Sequence, residues 1–203
     1  MIVCLGMSET NIDPQENPSL IPDISTGKLL ILSVVSANVY VFLSFFIIRN
    51  WHEEVLAALF NSEISIFGQV GIGAGAGIIA TAIVFSVIRF TPVAQILSDF
   101  SIFEALSKVN FSFFDNLQIS VFAGAGEEFL FRGAIQPLLG NTLTSIIFIG
   151  IHGYFKFRPP AHIFFGFMMF GLSFILGFLA DAVGLIAAMT AHTIYDVIML
   201  QML

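Results

Sequence analysis

Long apolar runs separated by short polar segments make up most of the chain. The first run, residues 29–48, lies between Lys28 and Arg49 and is long enough, at about 1.5 Å per residue, to cross roughly 30 Å of hydrocarbon. Five more runs follow, at about 66–88, 117–138, 141–151, 163–180 and 183–203. The fourth is too short to cross unaided. This pattern predicts an all-α fold, a polytopic transmembrane helical bundle with about six spans.

Two segments depart from this pattern. Residues 1–26 are polar after a brief apolar start and rich in Pro, Asn, Ser and acidic side chains, which predicts a disordered N-terminal tail. In residues 89–116, the apolar Ile96, Phe100 and Phe103 recur at helical spacing among charged side chains, which predicts one interfacial amphipathic helix. No long polar block separates two sets of apolar runs, so we expect a single transmembrane domain over residues 27–203.

Composition places the chain among membrane proteins. Hydrophobic residues make up 57% of it and charged residues only 10%, which is more apolar than a soluble domain of this length. The net charge is −7 and the few basic residues are scattered, which argues against nucleic acid as a partner. Cys4 is the only cysteine, which excludes an intramolecular disulfide and a cysteine-based metal site.

The loops on the two sides of the predicted bundle differ in their content of Lys and Arg. Arg49 is the only basic residue on one side. The other side carries Lys28, Arg89, Lys108, Lys156 and Arg158. Because cytoplasmic loops carry an excess of basic residues, this asymmetry predicts a multi-pass protein of the cell membrane with both termini in the cytoplasm.

The second run contains four alternating glycines, at Gly71, Gly73, Gly75 and Gly77. The stretch GIGAGAG lacks the preceding strand and the following lysine of a phosphate-binding loop, so we reject a nucleotide site here. We expect these glycines to permit close helix packing instead, as small residues do in bilayers.

Three charged side chains interrupt the third run, in the stretch AGAGEEFLFRG. Charges at this depth cost several kcal/mol unless they are paired or face a wet cavity. Glu128 and Arg132 are spaced i,i+4 and share a helical face, so we predict that they form an ion pair. Glu127 points elsewhere, and an unpaired carboxylate beside apolar side chains has the properties of a catalytic base. The alternative is that all three side chains form one polar cluster between helices with a purely structural role.

Two other runs also bring ionisable side chains into the bilayer. His152 ends the fourth run, and His192 and Asp196 are spaced i,i+4 in the sixth, so that this histidine and this carboxylate share a helical face. A lone histidine at such a position is more often a packing residue. Together with the charged stretch of the third run, these groups predict convergence on one cavity.

The ordered motifs resemble those of a known family. They are Glu127-Glu128-x-x-x-Arg132, Phe148-x-x-x-His152 and His192-x-x-x-Asp196. On successive apolar helices, this set is similar to the three-motif signature of the CAAX protease and bacteriocin-processing family, also called the CPBP or Abi family. The FRG of the first motif and the stretch GLIAAMTAH before the last histidine strengthen the resemblance. The family-like core covers about residues 117–203.

The resemblance implies an intramembrane endopeptidase of the glutamic type. By position, Glu127 and His152 would activate a water for attack on the scissile carbonyl, while His192 and Asp196 would stabilise the oxyanion. The predicted ion pair of the first motif would be structural. A base, a second group that orients the water and donors for the oxyanion are the parts that peptide hydrolysis requires.

Asp196 leaves the mechanism open, because an ionised carboxylate accepts hydrogen bonds and cannot donate one to an oxyanion. It is protonated, or it orients His192, or it helps to ligate a metal. The resemblance favours a mechanism with no cofactor. A zinc-dependent metallopeptidase, the alternative, would bind the ion through Glu127, His152 and His192 with an open position for water. The spacing differs from HExxH, which places both histidines on one helix.

Other functions follow from weaker arguments. The bacteriocin association of the family allows a non-enzymatic immunity or anchoring protein that binds a membrane peptide. A proton-relay transporter would need broken helices or a repeated half, and the sequence shows neither. The expected partners are therefore a peptide or lipidated protein substrate and the lipid bilayer.

Three further side chains are not assigned to the site. His52 and His162 have no motif partner, and Tyr195 is expected to pack.

Overall fold

The computed structural model describes residues 25–51, 59–60, 62–107, 109–157 and 159–202. Every regular element in these residues is helical, which confirms the all-α prediction. The elements are α1 (Thr26–Trp51), α2 (Ile66–Phe90), a 3₁₀ helix (Pro92–Asp99), α3 (Ser101–Ser107), α4 (Phe113–Glu128), a π-helix (Phe129–Ile135), α5 (Gln136–Ile151), α6 (Pro160–Ala182) and α7 (Leu185–Met202). Most of the predicted N-terminal tail, and His52, lie outside the described residues.

Five helices in the described part of the chain are long and apolar enough to cross a membrane. Four of them, Thr26–Trp51, Ile66–Phe90, Pro160–Ala182 and Leu185–Met202, correspond to the first, second, fifth and sixth apolar runs. The other, Phe113–Ile151, is 39 residues long and contains the third and fourth runs together. The prediction of a polytopic transmembrane bundle is confirmed.

The 39-residue segment reverses its direction at Gly140. This residue has φ 75° and ψ 162°, a conformation that lies outside the helical region and that glycine adopts without steric cost. On its two sides, the ring centroids of Phe131 and Phe148 are 5.0 Å apart. Glu127 and His152, further out on the two sides, also meet. The chain after Gly140 therefore folds back along α4 and the π-helix, and the short fourth run ends beside the middle of the third.

Contacts between helix ends place both ends of the described chain at one face of the bundle. The side chain of Gln118, near the start of α4, donates to the carbonyl of Leu30, near the start of α1. At the opposite face, Ser62 before α2 donates to the carbonyl of Val183 before α7. Since α7 begins at that opposite face, it ends at the face where α1 begins. That this face is cytoplasmic stays a prediction.

α2 packs along α7 through small residues. A Cβ atom at Gly73 would collide with a backbone oxygen of α7, and a Cβ atom at Gly77 would lie 2.6 Å from another. Cβ atoms at Gly71 and Gly75 would meet nothing within 4 Å. The predicted close packing is therefore confirmed for the two glycines on the face towards α7.

We expect Gly73→Ala to lower the free energy of unfolding by about 1–3 kcal/mol, because the added methyl group forces α2 away from α7. The matched control is Gly75→Ala, which adds the same methyl group at an open position and gains the better helix propensity of alanine. Denaturant unfolding of both variants in one detergent measures the difference. Equal destabilisation by the two substitutions would contradict the packing described here.

The segment between α2 and α4 is divided into the 3₁₀ helix and α3, and does not form one continuous helix. Pro92 lacks the backbone N–H that a continuation of α2 would need. Ile96 and Phe100 are buried, and the Phe100 ring lies 5.7 Å from that of Tyr154 and 5.0 Å from that of Phe165. The apolar side chains of the predicted amphipathic pattern therefore pack this segment against the rest of the protein.

Candidate active site

The charged stretch of the third run lies where α4 changes into the π-helix. α4 ends at Glu128, and the next backbone N–H, that of Phe129, is directed at both Ala125 O and Gly126 O. Short π-helical segments inside α-helices are rare and are frequent at functional sites. The change of helix type therefore coincides with the residues that the sequence marks as functional.

Glu128 and Arg132 form the predicted ion pair. Arg132 Nε lies 3.0 Å from Glu128 Oε2, and both side chains are fully buried. Arg132 Nη2 donates to the carbonyl and to the hydroxyl of Ser173 on α6, at 3.0 and 2.7 Å. The guanidinium also lies over the Phe148 ring, 5.5 Å from its centroid. This arginine therefore joins the π-helix to α5 and α6.

Glu128 has a second partner that links it to the last motif. Its Oε1 lies 2.8 Å from Nδ1 of His192 on α7. A carboxylate paired with arginine has only acceptor sites, so His192 Nδ1 donates this hydrogen bond. The bond fixes the orientation of the imidazole and leaves Nε2 directed towards Asp196, whose Oδ2 is 3.5 Å away.

Glu127 faces the second motif. Its Oε2 lies 3.5 Å from Nε2 of His152. His152 Nδ1 is 2.7 Å from the carbonyl oxygen of Phe148, and because a carbonyl only accepts, Nδ1 carries the proton. The imidazole is held between two rings, with centroids 4.4 Å from Phe148 and 5.8 Å from Tyr154. Nε2 is thus the nitrogen that is presented to Glu127.

The Phe148 ring contacts the histidines of both pairs, Glu127–His152 and Glu128–His192. Its ring stacks on His152 and lies 6.0 Å from the ring of His192, with an edge-on geometry. The side chains of Glu127, His152 and His192 are 12, 16 and 11% exposed, and that of Asp196 is 25% exposed. They are therefore largely desolvated while part of each remains accessible, as a site that takes a water and a peptide requires.

The remaining histidine of the described chain is engaged elsewhere. His162 Nε2 lies 2.9 Å from Asp99 Oδ2, which joins the start of α6 to the 3₁₀ helix. Lys156 donates to the backbone carbonyl of the same Asp99. His162 is therefore a structural residue of this end of the bundle, in line with its lack of a motif partner.

In the part of the chain that the structure describes, no group of three or more His, Cys, Asp or Glu side chains is arranged to hold a metal ion. His192 illustrates the reason, because its Nδ1 is occupied by Glu128 and its Nε2 faces Asp196. Zinc dependence stays an alternative to be tested by chelation.

Residues 109–198 match a family model described as type II CAAX prenyl endopeptidase Rce1-like. The match confirms, over this part of the chain, the predicted resemblance to the CAAX protease family. It supports a membrane-embedded endopeptidase in general and does not identify the catalytic groups. A search of the curated proteins and a search of the solved structures each found no match.

The segment matched by the family model contains every residue that the sequence analysis placed in the site. Glu127 meets His152, Glu128 meets both Arg132 and His192, and His192 meets Asp196. Four separate elements, namely α4, the π-helix, the end of α5 and α7, supply these side chains. The predicted convergence on one place in the bundle is observed in this structure.

Sequence reasoning missed three features of this site. Ser173 was not expected as a partner of Arg132, and Tyr154 was not expected against His152. Tyr154 lies between the spanning helices α5 and α6, and burial raises the pKa of its hydroxyl, which therefore stays neutral. The bond from His192 to Glu128 was also missed, although a buried glutamate with one arginine at i+4 leaves its second oxygen in need of a donor.

Proposed function

We propose that the chain is an intramembrane endopeptidase that hydrolyses a peptide bond of a membrane-associated or lipidated peptide. The name of the matching family points to prenylated CAAX substrates, and a lipidated peptide is the corresponding substrate class for this chain. The observation that carries the proposal is the meeting of Glu127 Oε2 with His152 Nε2 at 3.5 Å in a desolvated but accessible place.

In the first step, a water beside the two side chains donates one hydrogen bond to Glu127 Oε2 and one to His152 Nε2. Glu127 takes one of its protons as the water oxygen attacks the scissile carbonyl carbon, and His152 orients the water through Nε2. The C–N bond then breaks, and the proton on Glu127 passes to the leaving nitrogen. Apolar surroundings strengthen each of these electrostatic interactions.

The oxyanion that forms during the attack requires donors on the other side of the carbonyl. We assign this role to Nε2–H of His192, which Asp196 orients until the developing oxyanion replaces Asp196 as its acceptor. Glu128 accepts from Nδ1 and Asp196 faces Nε2, so two carboxylates favour an imidazole that carries a proton on both nitrogens. This assignment removes the need for Asp196 itself to donate.

We expect Asp196→Asn to retain cleavage within about tenfold, because the amide keeps the size of the side chain and adds a donor for the oxyanion. Asp196→Leu has a similar volume and no polar atom, so we expect it to lower kcat by roughly a hundredfold. Rates for the two variants with one quenched peptide check this. Equal losses in both would contradict an orienting role for Asp196.

The proposal is tested with the purified protein in liposomes, incubated with quenched peptides that carry apolar or lipidated ends. Mass spectrometry of the products is expected to show a new carboxylate and a new amine at one peptide bond, formed by the wild type and not by Glu127→Gln. Stoichiometric binding of these peptides by folded wild-type protein, with no cleavage, would favour the immunity or anchoring function instead.

A further inference from the structure

A cavity of about 440 Å³ lies at the face of the bundle where α1 begins. The end of α3, the segment that follows it, the start of α4 and the end of α7 form its walls. Three of the described lining residues, Asn110, Asn116 and Gln201, carry carboxamides, and the others are apolar. Because the described lining residues carry no charge, the cavity suits a neutral polar ligand.

The carboxamide of Asn116 is the buried polar group of this cavity. Asn116 is only 4% exposed, and its Oδ1 has no hydrogen-bond partner in the described structure. Nearly all buried polar atoms in folded proteins have such a partner. A carboxamide both donates and accepts, and so does a peptide group. The cavity therefore has the hydrogen-bonding groups that a polypeptide main chain would pair with.

The cavity is in line with the candidate active site along two helices. Asn116 and Glu127 are eleven positions apart on α4, which is about three turns, so they share a helical face and are about 16 Å apart. On α7, the lining residue Leu200 is spaced i,i+4 from Asp196 and shares its face. An extended chain of about five residues spans the distance from Glu127 to the cavity.

We propose that this cavity binds the main chain of the substrate about five residues from the scissile bond, on the side that continues into water. The inference rests on the proposed function, because the distance is counted from a scissile bond beside Glu127. Carboxamides pair with peptide groups whatever the side chains are, so this contact adds affinity with little selectivity for sequence.

Asn116→Leu is the variant that tests the cavity, because it keeps the approximate size of the side chain and removes both hydrogen-bonding atoms. Asn50→Leu is the matched control, the same change at an exposed position near the end of α1. The protein in liposomes receives a short lipidated quenched peptide with about two residues on each side of the scissile bond. Two long peptides are extended with alanine and serine to about eight residues, one on each side of that bond.

We expect the wild type to cleave one of the long peptides with a higher kcat/KM than the short one. Asn116→Leu is expected to lower kcat/KM for that long peptide by roughly three- to tenfold, the effect of losing one or two neutral hydrogen bonds. Its cleavage of the short peptide is expected to be unchanged, which also shows that it is folded. Asn50→Leu is expected to match the wild type with every peptide.

N-methylation of the long peptide at the main-chain nitrogen about five residues from the scissile bond removes the matching donor. We expect it to slow the wild type to the level of Asn116→Leu and to have little further effect in that variant. Gln201→Met, at an exposed position of the same cavity, is expected to change kcat/KM in the same direction and provides the test if Asn116→Leu does not fold.

The inference is overturned if the wild type cleaves short and long peptides with equal kcat/KM. It is also overturned if the cavity variants slow short and long peptides alike, or slow neither. Failure of folded wild-type protein to cleave any of the three peptides, or retained cleavage by Glu127→Gln, would instead overturn the proposed function.

Discussion

Glu128→Met is expected to lower the free energy of unfolding by about 3–5 kcal/mol, because it leaves the guanidinium of Arg132 buried without a counter-charge. Both members of this pair are fully buried and joined at 3.0 Å. The other described partners of Arg132, Ser173 and the Phe148 ring, carry no charge, and Nη1 has no hydrogen-bond partner in the described structure. Equilibrium unfolding of the two proteins in detergent measures the loss.

The double variant Glu128→Met/Arg132→Met separates stability from positioning. Removing both charges replaces the pair by apolar side chains, and we expect it to recover most of the lost stability. Activity is expected to stay low, because His192 Nδ1 has lost the carboxylate that fixes its imidazole. Recovery of kcat together with stability would show that Glu128 has only the structural role predicted from the sequence.

Glu127→Gln and His152→Ala are each expected to reduce kcat by about 10³-fold, within the range for the loss of a general acid or base. The double variant is expected to lose little more than the worse single variant, because the two side chains act on one water. Rates of peptide cleavage by the four proteins of this cycle provide the measurement. In the described structure the side chains of Glu127 and His152 pair with each other and not with Glu128 or Arg132, so thermal unfolding midpoints close to the wild-type value serve as the control.

Losses of free energy that add in this cycle, so that the double variant is slower than the wild type by the product of the two single effects, would contradict a shared water. They would assign Glu127 and His152 to separate steps of the reaction.

The local parts of this structure follow from the sequence. Apolar runs long enough to span a bilayer specify the helices, and the i,i+4 spacing alone places Arg132 beside Glu128. The same spacing brings Asp196 to His192. These relations depend only on helix geometry, so they are readable without knowledge of how the helices are arranged.

Contacts between residues that are far apart in the sequence could be identified only from the structure. Glu128 and His192 are 64 positions apart, and their hydrogen bond depends on the packing of α4 against α7. The fourth run folds back along the third because Gly140 adopts a positive φ, whereas a glycine at that position in a sequence indicates only that a helix ends.

The most direct test of a water-activating Glu127 is the initial rate of cleavage of one lipidated quenched peptide in liposomes, with and without a strong chelator. The wild type is expected to cleave at the same rate in both conditions, and Glu127→Gln to be slower by about 10³-fold in both. Loss of wild-type cleavage in chelator with recovery on addition of zinc would contradict the metal-free mechanism. Cleavage by Glu127→Gln at the wild-type rate would remove Glu127 from the reaction.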